Sequence, residues 1–338
     1  MYKVILLLIF IKVLSFSSLT QNTWAENKFE LEWGALTRSP GSLLDILPKQ
    51  GQEFYTLRWS GGRAFGTYRI TNHEKLALVN QQRVKQVAAS GIANFETALY
   101  IGEQLYVFLS DKTNGQLVLY VQPFSAGLLP EGPSQLLASY NNPKLNAKPN
   151  FGIISSSNNK FIGVVWAIAG RKALSDSYGY VILDKKLNKL LEGEYNIPLN
   201  GNMTSINEHH VSNSGNYFLS LTEHKRPIDR IFTKAYDNFK ALHVYQIKNN
   251  ELLEFSLDLE DKRIDDIKMS SNDEGIFTLS GIYGNNELKN NNRRQHLVDG
   301  IFMIRLDTKE DALIFKGFIP FKKEFIKMNF QDRSVMRS

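Results

Sequence analysis

The sequence predicts an all-β chain: a β-propeller of about five four-stranded blades, whose ring is either complete or shortened. Two observations predict it. The segments Phe54–Trp59, Leu105–Ser110, Phe161–Trp166, Tyr217–Thr222 and Ile276–Gly281 repeat one strand-like pattern, with starts 51, 56, 56 and 59 residues apart. A period of that size in a β-rich chain is the length of one blade. An aromatic residue then recurs in each repeat, at Tyr68, Tyr120, Tyr180, Tyr245 and Phe302, where stacked sheets need bulk between them. A β-sandwich also strings short strands together, but it does not require turn, strand head and aromatic to recur in step.

Each repeat divides into four strands, named A to D from the propeller axis outward. Repeat one reads Ser42–Leu47, Phe54–Trp59, Ala64–Ile70 and Leu76–Asn80. Repeat two reads Phe95–Ile101, Leu105–Ser110 and Leu117–Phe124, with a faint D strand near Gln135–Ala138. Repeat three reads Phe151–Ser155, Phe161–Trp166, Tyr178–Leu183 and Lys189–Tyr195. Repeat four reads Ser205–Val211, Tyr217–Thr222, Ala241–Ile247 and Leu252–Leu257. Repeat five reads Arg263–Met269, Ile276–Gly281, Gly300–Leu306 and Ala312–Phe318. The A–B connections at 157–160, 212–216 and 270–275 are short runs of Ser, Asn, Asp and Gly, residues that tolerate the positive φ of tight hairpins.

Ring closure is left open by the sequence. Phe29–Trp33 alternates apolar and acidic residues as a strand does, yet it precedes repeat one, and repeat five has its own D strand. Either the segment is an extra outer strand or the chain is a shortened form of a longer propeller. The basic stretch 321–338 lacks strand alternation and reads as a short amphipathic helix or a frayed end.

The first 25 residues read as a signal peptide: Lys3, an unbroken apolar run Val4–Ile11, then small polar residues with a cleavage point after Thr20 or, favoured by Thr23 and Ala25 at the small-residue positions, after Ala25. The apolar run is far short of the roughly 20 residues that span a bilayer. Residues 26–320 form the propeller domain, with export to the periplasm, the cell surface or the medium. The chain has no cysteine, so neither disulfides nor an N-terminal lipid-bearing cysteine stabilises or anchors it. The formal charge is +6, and +4 once Lys3 and Lys12 leave with the leader. That surplus is too mild to imply nucleic acid.

Charge gathers in the B–C loops, which hold twelve basic residues against seven acidic. They also vary most in length, as loops on a binding face do. The primary expectation is therefore a non-catalytic propeller that docks an acidic protein surface or an anionic glycan of the cell envelope. The binding residues would be Arg63, Arg171, Lys172, Lys225, Arg226, Arg230, Arg293 and Arg294.

The alternative is a glycan-active hydrolase. Nine residues before the B heads stand Asp45, Glu96 and Glu208, three carboxylates on strands that line the axis, with Gly152 and Ile267 in the other two repeats. Paired carboxyls, one protonated and one ionised, are what glycoside hydrolysis requires. No metal site or cofactor is expected. His209 and His210 are adjacent on a strand and point to opposite faces, and Asp111–Gly115 starts like a calcium loop but lacks the later ligands.

Glu32-Trp33-Gly34, Phe54–Arg58 with Gly61-Gly62, Phe108–Lys112 and Leu257-Asp258-Leu259 carry a resemblance. Over most of residues 29–320 the chain resembles uncharacterised exported β-propeller-like proteins of Bacteroidota. That resemblance implies a longer C-terminal extension in the family and carries no assigned chemistry.

Overall fold

The computed structural model describes residues 41–61, 66–88, 91–141, 151–168, 177–227, 238–248, 251–255, 257, 259–260, 262–285 and 298–326. The expected leader, the segment Phe29–Trp33 and most of the basic tail lie outside the described residues. Five four-stranded antiparallel sheets follow one another along the chain, one per repeat, in a β-propeller arrangement. Blade 1 is β1 (Ser42–Pro48), β2 (Glu53–Gly61), β3 (Gly66–Glu74) and β4 (Ala77–Arg83). A two-residue pair, β5 (Val87–Ala88) and β6 (Gly91–Ile92), leads to blade 2: β7 (Asn94–Ile101), β8 (Gln104–Thr113), β9 (Gln116–Phe124) and β10 (Gln135–Asn141). The faint D strand of repeat two is thus a full strand.

Blade 3 is β11 (Phe151–Ser155), β12 (Phe161–Ile168), β13 (Ser177–Asp184) and β14 (Lys189–Asn196). Blade 4 is β15 (Thr204–Val211), β16 (Tyr217–His224), β17 (Phe239–Lys248) and β18 (Glu251–Phe255). Blade 5 is β19 (Lys262–Ser271), β20 (Ile276–Asn285), β21 (Gly300–Asp307) and β22 (Ala312–Pro320), followed by one helical turn, α1 (Lys323–Ile326). In every blade the strand order matches the chain order, so the first strand is innermost and meets its counterparts in neighbouring blades.

Strands buried on both faces need apolar residues at successive positions rather than in alternation. β8 and β9 show this, being buried almost end to end. Four hydrophobic cores result, one between each pair of consecutive blades. The repeated aromatics fill them from either side: Tyr68 stacks on Phe95 between blades 1 and 2 at 4.1 Å, and Tyr180 on Tyr217 between blades 3 and 4 at 5.8 Å. Phe218 and Phe277 stack at 4.2 Å between blades 4 and 5. At Gly179 a side chain would collide with the Trp166 indole, which lies about 2 Å from where a Cβ would stand. The glycine is there to seat the tryptophan.

Among the described residues no hydrophobic cluster joins blade 5 to blade 1. Blade 5 presents Ile301, Met303, Phe315 and Ile319 to the outside. The face of blade 1 turned away from blade 2 carries Arg58, Arg69 and Arg83, paired in register across β2, β3 and β4.

The A–B turns of blades 3, 4 and 5 are stitched together by hydrogen bonds. Asn158 donates its backbone N–H to Asn213 Oδ1 at 3.0 Å, and its Nδ2 to the Asn213 carbonyl at 3.2 Å and to Asp273 Oδ1 at 2.8 Å. Asn213 N donates to Ser271 Oγ at 3.1 Å, which also bonds His210 Nε2 at 3.0 Å.

Candidate functional site

The innermost strands of blades 1, 2, 4 and 5 each carry one inserted residue, a β-bulge. The extra residues are Leu44, Glu96, Asn207 and Asp265. Blade 3 has none: Gly152 opposes Val165 in an unbroken ladder. Bulges re-aim side chains and occur beside active sites. Here they fall next to the three carboxylates that the sequence grouped.

Asp45 opposes Leu57, and Glu208 opposes Ser220, each the third residue after its B-strand head. Glu96 is the bulged residue between the pairs Phe95–Leu109 and Thr97–Phe108. Asp45 and Glu208 therefore share one level of the axis, at which blade 2 has Thr97; Glu96 stands one residue earlier, the counterpart of the inserted Leu44 and Asn207. Glu96 differs in aim, because it is the inserted residue while the other two are ladder residues.

The three environments differ. Glu96 is half-buried and accepts a hydrogen bond from Ser110 Oγ. Burial pushes its carboxyl above the usual carboxylate range, and the serine bond only partly opposes this. Asp45 is exposed, and its Oδ1 accepts from the Ile46 N–H at 2.8 Å. It lines a cavity of about 350 Å³ at the A–B turn end, together with Pro48, Tyr100, Ser155, Ser157 and Asn159. Glu208 is tied to blade 5: Lys268 Nζ donates to Oε1 at 3.1 Å, and Met269 N to Oε2 at 2.5 Å.

Sequence reasoning missed Ser110, Lys268 and Tyr100 as neighbours of these carboxylates. Strand alternation gives a residue's face but not the rotation between blades.

The expected basic docking face fares differently. Arg63, Arg171, Lys172, Arg230, Arg293 and Arg294 lie outside the described residues. Lys225 and Arg226 are exposed, and both backbones are pinned by Asn238: Lys225 N donates to its carbonyl and Arg226 N to its Oδ1, each at 2.8 Å. These two residues close the base of a loop. His209 and His210 point apart as alternation requires, to Tyr217 Oη at 2.6 Å and to Ser271 Oγ at 3.0 Å. Among the described residues no three His, Cys, Asp or Glu side chains form a metal-holding group. No helix there is long and apolar enough to cross a membrane.

No protein-family model and no curated protein matches this chain. Solved structures do. An α-L-arabinofuranosidase from Lactobacillus brevis shares 10% identity over 82% of this chain and 94% of its own, with a TM-score of 0.34. An endo-arabinase from Bacteroides thetaiotaomicron shares 11% over 70% and 87%, with a TM-score of 0.33. Hydrazine synthase from Kuenenia stuttgartiensis shares 7% over 87% and 99%, with a TM-score of 0.36. At such identities the likeness extends to the fold alone.

The expectation of a non-catalytic scaffold docking an acidic partner through its B–C loops is corrected on this finding. Two of the structures to which it is similar are named as an arabinofuranosidase and an endo-arabinase.

Proposed function

We propose that the chain is a glycan-active hydrolase working at the innermost strands of blades 1, 2 and 4. The observation that carries this reading is the unequal environment of three carboxylates on innermost strands, Asp45 and Glu208 just past their bulges in one register and Glu96 on the bulge of blade 2. Glycoside hydrolysis needs one carboxyl that holds its proton and another that does not. Glu96, raised by burial, is the general acid that protonates the departing glycosidic oxygen. Asp45, open to solvent beside the cavity, activates water or attacks the anomeric carbon. Glu208, held by Lys268 and the Met269 N–H, supports the developing positive charge from the far side. Arabinose-containing polysaccharides head the substrate panel, because two of the similar structures are named for acting on them. The leader pattern of residues 1–25 supports action outside the cytoplasm.

The test is release of reducing sugar from a panel of arabinans, arabinoxylans and uronate-containing glycans. D45N and E96Q should each lower turnover by about 10²-fold or more, the usual contribution of a positioned acid or base. Wild-type protein that cleaves nothing on the panel, or variants as active as wild type, would end this reading.

A further inference from the structure

The face of blade 1 turned away from blade 2, which no other blade covers among the described residues, is charged where interblade faces are apolar. Arg58 stands directly opposite Arg69, and Arg69 directly opposite Arg83, so the three guanidiniums occupy one row on one face of the sheet. Alternate residues Leu57 and Ile70 point the other way, into the core with blade 2. Arg58 and Arg69 are half-exposed and Arg83 is exposed. Arg58 Nη1 makes a long 3.5 Å contact to the Gly41 carbonyl. None of the three has an ion-pair partner among the described residues.

Like charges directly opposite one another destabilise a sheet. Nor is this face built to receive blade 5, since covering three unpaired cations with Ile301 and Ile319 would leave them desolvated without a partner. A row held at such a cost is explained by an anion that neutralises it. Guanidinium is the cation suited to that task, because its planar fork matches carboxylate and sulfate oxygens two at a time.

The row has a direction. Adjacent strands lie about 4.8 Å apart, so three arginines span roughly 10 Å across the blade. The row starts on the outer strand β4 and ends on β2, where Arg58 opposes Leu43 of the innermost strand. Asp45 follows two residues later on that strand. Gln81 on β4, and Ser60 and Thr67 with their hydroxyls 3.0 Å apart, flank the row with groups that pair with hydroxyls.

We propose that blade 1 binds an anionic glycan, with carboxylate or sulfate groups spaced along its chain and seated on Arg58, Arg69 and Arg83. A polymer laid across the strands is led from the rim of the molecule to the axis beside Asp45. The inference rests on the glycan-hydrolase reading and narrows its substrate class. A glycan is favoured over an acidic peptide because the row is bordered by amide and hydroxyl groups rather than by apolar side-chain pockets.

The test measures equilibrium binding of the full chain to polygalacturonate, a sulfated polysaccharide, neutral arabinan and polyglutamate at low and moderate salt. Binding to either anionic glycan, weakened by salt and absent for neutral arabinan, is expected; the carboxylate and sulfate arms tell the two anions apart. The triple variant R58Q/R69Q/R83Q should bind at least tenfold more weakly, while R305Q on blade 5 should match wild type. Thermal melting guards against misfolding: the glycan should raise the wild-type Tm and leave the triple variant's unchanged. Equal affinity in the triple variant, or polyglutamate binding as tightly as the glycans, would overturn the proposal. Tight glycan binding without cleavage by wild type would sink the hydrolase reading and leave the arginine row standing. Cleavage of neutral glycans only, with no anionic binding, would do the reverse.

Discussion

Glu96 occupies its bulge at a cost that depends on pH. Its carboxyl is raised by burial above 4.5. Below the unfolded carboxylate range, near pH 4, both folded and unfolded chains hold the proton and the residue is neutral to stability. As pH rises through the raised value, the folded state must bear a buried carboxylate, and stability falls. E96Q should therefore melt higher than wild type at pH 7, and the gain should vanish below about pH 4. Differential scanning calorimetry across that range checks it, and a loss of activity alongside a gain in Tm would separate a catalytic role from a structural one. The two histidines of β15 work in the opposite sense. Desolvation lowers His209 and His210 to about 4, so the unfolded chain takes up protons that the folded chain refuses between pH 6.5 and about 4. Stability should decline as pH falls through that window and level off below it. In H210Q, which can keep a bond to Ser271 Oγ without a titrating ring, the slope of Tm against pH should shrink visibly.

The strands themselves were legible. Alternation, turn residues and the repeated aromatic locate four strands per blade because each must pair, bury and turn in the same way. What escaped were the features that break the repeat. Counting nine residues back from each strand head puts Glu96 in step with Asp45, yet Glu96 is inserted into the ladder and Asp45 belongs to it. The A–B turn of blade 2 is one residue shorter, with Tyr100 pairing Leu105 where Pro48 pairs Phe54 and Val211 pairs Tyr217, so a fixed count overshoots into the bulge. The arginine row was hidden for a related reason. Arg58, Arg69 and Arg83 have no regular spacing in the chain and meet only through the register of two hairpins. Interblade packing supplies a prediction at this scale. Phe277 is fully buried and stacks on Phe218 across blades 4 and 5. F277A should cost about 3–5 kcal/mol, measured by urea unfolding, because the cavity opens where two rigid sheets meet and neither can collapse into it.

At the level of the whole molecule, four cores hold five blades in sequence, and the two end blades keep dissimilar faces. One end is apolar at Ile301, Met303 and Ile319, and the other is cationic. Five aligned strand repeats suggest uniform blades, but the chain is asymmetric about its axis. The carboxylates lie on blades 1, 2 and 4, and the row of facing arginines lies on blade 1.

The bonds that tie Asn158 to Asn213 and Asp273, and Asn213 to Ser271, have a consequence for how the chain comes apart. They cross between three sheets at the A–B turns, while at that end blade 1 meets blade 2 through one exposed hydrogen bond, Gln50–Glu103, and the packing of Lys49 and Tyr55 on Tyr100. Opening should therefore begin at the amino-terminal end, with blades 3 to 5 persisting as one cooperative unit. Native-state hydrogen exchange would read this directly: amides of β12, β16 and β20 should exchange only through the highest-energy opening, and those of β2 and β3 through a lower one. N158A, which deletes the side-chain half of the knot, should cost about 1–3 kcal/mol and bring the exchange of β12 down to that of β2. A molecule that loosens first at blade 1 loosens at the arginine row, so an anion bound there would act as the clasp that holds the fold shut.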